Sequence, residues 1–301
     1  MVAQVARQEA SPSSIQQGSN GRRRRISGIG PLSKTTPGKI ALAGGVITLA
    51  SVLLVAFAPL LVGGNPNYLF KPLLPPSSVH LFGTDSLGRD VLALTLYGGD
   101  TPFMVGALST LICGIAGVAL GLVFGYREGT SEKVMTMVMD SLYAFPGLIL
   151  AMLLTAVLGP SVVNTSIAVS FIFVPAFYRT IRSSVVSVKQ MPYVEAAICL
   201  GARQRTVLSS YVLPNVLPAI PILASFTFGF AILTQSGLSF LGIGFPLTVP
   251  DWGTSLAFGS AYVLAGDWWV VFFPGVAIII AVLGFSLLGE GLQEIFNPAT
   301  N

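Results

Sequence analysis

"PYVEAAICLGARQRTVLSSYVLPN", residues 192–215, interrupts a chain that is otherwise nearly free of charge, with Glu195, Arg203 and Arg205 set between two long apolar runs. Pro192 suits the first turn of a helix, where its missing N–H is no loss. Tyr193, Ala196, Ala197 and Leu200 recur at i, i+3, i+4 and i+7, which predicts one apolar stripe. Gly201 is a natural residue to end that helix in the left-handed conformation. A second short helix would carry Val207, Leu208, Tyr211 and Val212 on one face and Arg203 and Arg205 on another. Pro214 marks the entry to the next apolar run. The stretch reads as a structured elbow, small-faced at Ala196 and Ala197. On these residues two readings stay open: a helix lying on a bilayer surface, or a peg seated in a groove of a partner.

The surroundings settle the solvent. The chain has 301 residues, 53% of them hydrophobic and 9% charged, with a mean hydropathy of +0.79. A soluble domain carries about a quarter charged residues, so this composition, with repeated apolar runs of about 20 residues, predicts a polytopic all-α membrane protein. Six spans are expected, near residues 39–63, 102–126, 134–158, 163–188, 214–242 and 269–292. Residues 1–38 form a polar tail with the run Arg22–Arg25, able to meet anionic lipid headgroups and to hold the N-terminus in the cytoplasm. The apolar run after it is too long for the core of a signal peptide. Cys113 and Cys199 have no metal-ligand spacing, and His80 stands alone in a Pro/Ser-rich loop. The net charge of +4 is spread between spans, so it concerns topology and gives no reason to expect nucleic acid.

With the tail inside, the cytoplasmic side receives Arg127, Lys133, Arg182, Lys189, Arg203 and Arg205, whereas the clear outer loop positions hold only Lys71 and Arg89. That asymmetry satisfies the positive-inside rule and places the elbow and both termini in the cytoplasm. Glycines 106, 114, 117, 121 and 125, and 275, 284 and 289, predict close helix contacts. Pro146, Pro175 and Pro274 should kink their spans, and Trp252, Trp268 and Trp269 should sit as anchors at the outer boundary. Asp140, Arg179 and Glu290 are placed near span ends, which leaves no ladder of ionisable residues at mid-membrane depth and weighs against an ion-driven carrier.

Several blocks carry a family resemblance. Glu195-Ala196-Ala197, three residues, Gly201, nine residues, then Tyr211-Val212-Leu213-Pro214 resembles the EAA loop of ABC importer permeases. "HLFGTDSLGRDVL" (80–92), "MVMDSLYAFPGLILA" (137–151), "GLSFLGIGFPLTVPDWGTSL" (237–256) and "PGVAIIIAVLGFSLLGEGL" (274–292) are similar to the matching parts of the peptide/nickel importer permeases. Residues 37–298 resemble the C-type permease subunit of a dipeptide/oligopeptide transporter. The chain departs from that pattern at residues 93–103, where Asp100 stands near a usual arginine. It departs again at Tyr211, and at Glu290, Gln293 and Asn297.

The resemblance implies a type I ABC importer permease fold: a first helix at 39–63, an extracytoplasmic segment at 64–101, and a core at 102–298 with five spans and a coupling loop at 189–214. It implies a multi-pass protein of a prokaryotic plasma (inner) membrane that forms half of a path for di- or oligopeptides. Its partners would be a second homologous permease, two ATP-binding subunits and an extracytoplasmic solute-binding protein. ATP and Mg would be bound by those partners and no cofactor by this chain, in which no phosphate-binding G-x-x-x-x-G-K-[ST] occurs. Glu195, Ala196, Ala197, Leu200, Gly201, Leu213 and Pro214 would couple to an ATPase. Ser225, Thr227, Thr234, Gln235, Ser236 and Ser239 offer a neutral lining for the path, or else only bond helix carbonyls. Thr84, Asp85, Gly88, Arg89 and Asp90 are candidates for an external gate or docking element, with Asp85 capping a turn and Arg89 pairing with it at i+4. Nickel or glutathione as cargo, or a secondary carrier, are the alternatives.

Overall fold

The computed structural model describes residues 36–127 and 129–296. The expected tail contacts of Arg22–Arg25 and the departure at Asn297 lie outside them. The described residues form α1 (Thr36–Ala56), α2 (Ala58–Val62), α3 (Val91–Tyr97), α4 (Asp100–Tyr126), α5 (Thr130–Ala144), α6 (Gly147–Leu158) and α7 (Val162–Lys189). After these come α8 (Pro192–Cys199), α9 (Gln204–Thr206), a π-helical turn (Val207–Val212), α10 (Leu213–Val216), α11 (Ala219–Phe240), α12 (Trp252–Ser260) and α13 (Trp269–Phe296). Helices predominate because a backbone in hydrocarbon must satisfy its own hydrogen bonds.

Glycine sets how the long helices meet. A Cβ at Gly121 would lie 2.7 Å from Ile181 Cβ, one at Gly125 would lie 2.9 Å from Val185 Cβ, and one at Gly117 would collide with Phe177. The pairs advance together, 117 with 177, 121 with 181 and 125 with 185, so α4 and α7 run parallel. On the other side, Gly291 sits on Ala41 and Gly284 on Thr48, which makes α1 and α13 antiparallel. Gly289 against Phe226 and Gly229 against Phe285 make α11 antiparallel to α13. The inner ends of α1, α4, α7, α11 and α13 therefore share one side, the basic one.

Parallel α4 and α7 require the chain between them to cross back, and the third expected span does so differently from the expectation. It is a helix pair, α5 and α6, bent by 91°. Pro146 drives Phe145 into an extended conformation (φ −74°, ψ 138°), ending α5. Pro175 and Pro274 instead lie inside continuous helices.

The outer side also differs from expectation. Trp252 and Trp269 are buried and donate their indole N–H to Thr95 O (2.7 Å) and Thr84 O (3.1 Å), so they tie outer segments to the bundle. Trp268 alone of the three is exposed. α12, absent from the expected spans, packs beside α11 and α13 with its N-terminus capped by Asp251, which accepts from Thr254 N at 2.9 Å. Phe228 and Phe285 stack at 4.0 Å near the centre of the apolar core.

Replacing Gly121 with Leu drives a side chain into Ile181. The expected cost is about 1–3 kcal/mol, read as a lowered thermal midpoint in detergent. Gly114→Ala, whose new methyl would meet Phe177 at 3.8 Å, should leave the midpoint unchanged.

Candidate functional site

α8 stands where α7 ends on the basic side, and its attachment is apolar. Val194 and Ala197 face inward, and Val194 shares a cluster with Ile181, Val185, Val207, Val212 and Val216. Tyr193 is 46% and Leu200 89% exposed, and Glu195 and Ala196 are exposed with them. The expected single stripe is thus divided. Ala197 belongs to the inner face with Val194, three residues before it, while Tyr193, Ala196 and Leu200 point outward. A helix gripped on one side has a second side left to offer, and here that side is small and apolar.

Gly201 holds the end of α8 as expected. Its φ is +83°, its N–H donates to Ile198 O (2.9 Å), and Ala202 N–H donates to Ala197 O (3.0 Å). These are the two bonds of a Schellman ending, which favours glycine. An added Cβ would meet nothing within 4 Å, so the requirement is conformational. The second half of the elbow is a π-helical turn with Val207 and Val212 buried and Leu208 and Tyr211 packed against their cluster. Leu213 is half-buried and Pro214 exposed. A hollow of about 300 Å³ beside α8 is lined by Gly125, Val186, Lys189, Gln190, Glu195 and Ile198.

The hydroxyl row of α11 faces the chain's own interior. Ser225, Thr227, Gln235, Ser236 and Ser239 are buried and Thr234 is half-buried. Ser225 donates to Pro221 O (2.9 Å) and Thr234 to Phe230 O (2.8 Å), one turn back. Gln235 Nε2 donates to Asp251 Oδ1 (2.9 Å) and Ser239 Oγ (3.0 Å), joining α11 to α12. Within this chain Gln235 braces α11 against the start of α12, while Ser236 Oγ is buried with no hydrogen-bond partner among the described residues. Asp251 is the residue that the sequence reading missed, although an Asp before Trp-Gly-Thr was a readable N-cap.

The external residues are held by hydrogen bonds within and around their segment. Asp85 Oδ1 accepts from Leu87 N (2.9 Å) and Arg89 N (2.8 Å), and Arg89 Nε donates to Asp85 Oδ2 (2.8 Å), the expected cap and pair. Arg89 Nη1 also donates to Leu247 O (2.9 Å), tying the segment to the loop after α11. Thr84 Oγ1 bonds Lys71 O and Leu74 N, both at 2.8 Å. Asp90 caps α3 through Ala93 N (3.0 Å) and meets His80 Nδ1 (2.8 Å). Thr84, Asp85, Gly88 and Arg89 are buried and Asp90 half-buried, with partners inside the segment and, for Arg89, also at Leu247. They shape this surface and leave Leu81 and Leu87 exposed on it.

Comparison with known proteins agrees with this architecture. The family model of the binding-protein-dependent transport system inner membrane component matches residues 117–301. The chain is 35% identical over 261 residues to a probable D,D-dipeptide transport system permease protein of Escherichia coli (strain K12), spanning 86% of this chain and 87% of the relative. It is 39% identical over 261 residues to a probable peptide ABC transporter permease protein of Sinorhizobium fredii, spanning 86% and 89%. It is 36% identical over 263 residues to a glutathione transport system permease protein of Pectobacterium atrosepticum, spanning 86% and 87%.

Gly201→Val places a β-branched side chain at a left-handed position, at a cost of about 1–2 kcal/mol. Hydrogen exchange at the amides of Gly201 and Ala202 should accelerate accordingly, while Gly201→Asn, which tolerates this conformation, should retain most of the protection.

Proposed function

The chain belongs to the binding-protein-dependent transport system inner membrane components, and from that premise we propose that it is one permease half of an ATP-driven importer of di- or oligopeptides. The division of α8 carries the reading: Val194 packs the helix onto α7 and Ala197 is buried on the same inner face, while Tyr193, Ala196 and Leu200 project on the cytoplasmic side. A short helix with a small, exposed apolar face is the shape that enters a groove on another protein. Two features make α8 a stiff lever, its apolar grip on Ile181 and Val185 and the left-handed stop at Gly201.

In this mechanism a solute-binding protein delivers the peptide outside, and a second, similar permease completes the path. Two ATP-binding subunits, which hold ATP and Mg, close on the cytoplasmic side. Their closure pushes α8, and α8 passes the displacement to α7 through Val185 and Ile181. Because α7 lies directly on the glycines of α4, the two helices move as one body. The bent α5–α6 pair then rocks with α7, and the path opens alternately outward and inward. Glu195 at the edge of the hollow beside α8 is placed to meet a basic group of the ATPase. Glutathione is itself a small peptide, so the cargo of the Pectobacterium relative falls within the same chemical class.

A cysteine at Ala196 should form an adduct with a co-expressed ATP-binding subunit on treatment with a short bifunctional thiol reagent, whereas one at Val194 should not. Absence of any adduct from position 196, with and without nucleotide, would count against docking through α8.

A further inference from the structure

The charged residues that the sequence placed near span ends come together in an unexpected way. Arg179 Nη2 donates to Asp140 Oδ1 at 2.7 Å, joining α7 to α5 across 39 residues of chain. Both side chains are open, 42% exposed for Arg179 and 53% for Asp140. The guanidinium also lies 4.3 Å from the centre of the Tyr143 ring. By the α4–α7 register, Arg179 sits level with the residues between Gly117 and Gly121, about 10 Å outward from the inner end of α4 at 1.5 Å per residue. An ionic pair at that depth does not face lipid tails; such pairs face protein or a water-filled cavity.

A broad, shallow hollow adjoins the pair at Asp140. Glu132, Lys133, Thr136, Asp140 and Ser141 of α5 and Arg182 of α7 line this open hollow of about 580 Å³, which Arg179 reaches through its bond to Asp140. Its inner end is braced: Arg182 Nε donates to Glu132 Oε1 (2.7 Å), Thr136 Oγ1 donates to the same oxygen (3.0 Å), and Thr136 also bonds the buried Tyr178 hydroxyl (2.8 Å). Asp140 and Arg179 lack a second hydrogen-bonding side chain of this kind among the described residues, and the Tyr143 ring is the third group at the pair. One pair is built into the wall and the other is left free to exchange partners.

We propose that this hollow is the part of the peptide path contributed by α5 and α7, and that Arg179 and Asp140 meet the carboxylate and ammonium ends of the passing peptide. An exposed ion pair is weak, so it opens at little cost, accepts both ends of a zwitterion and closes again to release them. Exchange of this kind suits a path that must not retain its cargo, and it needs no particular side chains on the peptide. The exposed polar groups of the path then lie on α5 and α7, while the α11 hydroxyls remain buried. The assignment rests on the peptide reading given above.

Two measurements on the assembled transporter test it. In inside-out vesicles without nucleotide, Asp140→Cys is treated with a charged, membrane-impermeant methanethiosulfonate and the adduct is mapped by peptide mass spectrometry. It should react about tenfold faster than Ser239→Cys, as an exposed thiol does relative to a buried one. No adduct at position 140 in any nucleotide state would overturn the hollow as part of the path. In the second measurement, Arg179→Gln is compared with the native permease using the same binding protein, for a tripeptide and its C-terminal amide. Uptake of the free acid should fall about fivefold more than uptake of the amide, the loss expected when a charge-assisted contact is removed. An equal fall for both would make Arg179 a brace and overturn the peptide contact. If the native transporter moves no peptide while position 140 still reacts, the peptide reading fails and the hollow stands.

Discussion

Direct contact between α4 and α7 is the constraint on which the rest of this protein depends. Apolar side chains give helices little reason to associate in a bilayer, because lipid is as apolar as they are; close backbone approach supplies the attraction instead. Gly117, Gly121 and Gly125 open a groove along α4 into which Phe177, Ile181 and Val185 of α7 fit. The same Ile181 and Val185 then receive Val194 of α8 and Val207 of the following turn. One packed column therefore runs from the middle of the membrane to the cytoplasmic elbow. The parallel direction of the two helices forces the bent α5–α6 crossing, and that crossing brings Asp140 to Arg179.

Polar groups divide into two populations by what they can reach. Asp85 is enclosed with Arg89, and Asp251 with the Gln235 amide nitrogen and Thr254. Burying them without partners would be costly, so they belong to the architecture of the outer side, where Arg89 and Asp251 each link elements distant in sequence. Other charges stay open, around the elbow, along the surface between α5 and α7, and on the outer side at Lys71 and Asp100.

Much of this was legible in the residues because simple periodicities govern it. Apolar runs of about 20 residues located the long helices, the placement of arginine and lysine oriented them, and Gly201 was readable as a helix stop because few residues other than glycine adopt φ near +80°. What escaped depends on tertiary choice. Pro146 breaks its span whereas Pro175 and Pro274 do not, and nothing local to the three distinguishes them. Tyr193, Ala196, Ala197 and Leu200 fit one stripe by spacing, yet Val194 packed against Ile181 and Val185 and turned Ala197, three residues on, inward with it. The hydroxyls of α11 suggested a polar lining, but which face of α11 turns inward is set by α4, α12 and α13. The Asp140–Arg179 pair could not be seen before the α5–α6 bend was known.

The central claim is that the outward face of α8 transmits the work of a separate ATP-binding subunit. Leu200 isolates that claim, since it is 89% exposed and contributes nothing to the packing of α8. The decisive measurement is ATP-dependent peptide uptake into proteoliposomes containing the complete transporter with Leu200→Asp. The account predicts normal insertion of the chain and an uptake rate reduced about tenfold or more, as expected for loss of a central apolar anchor. Uptake at the native rate would contradict it.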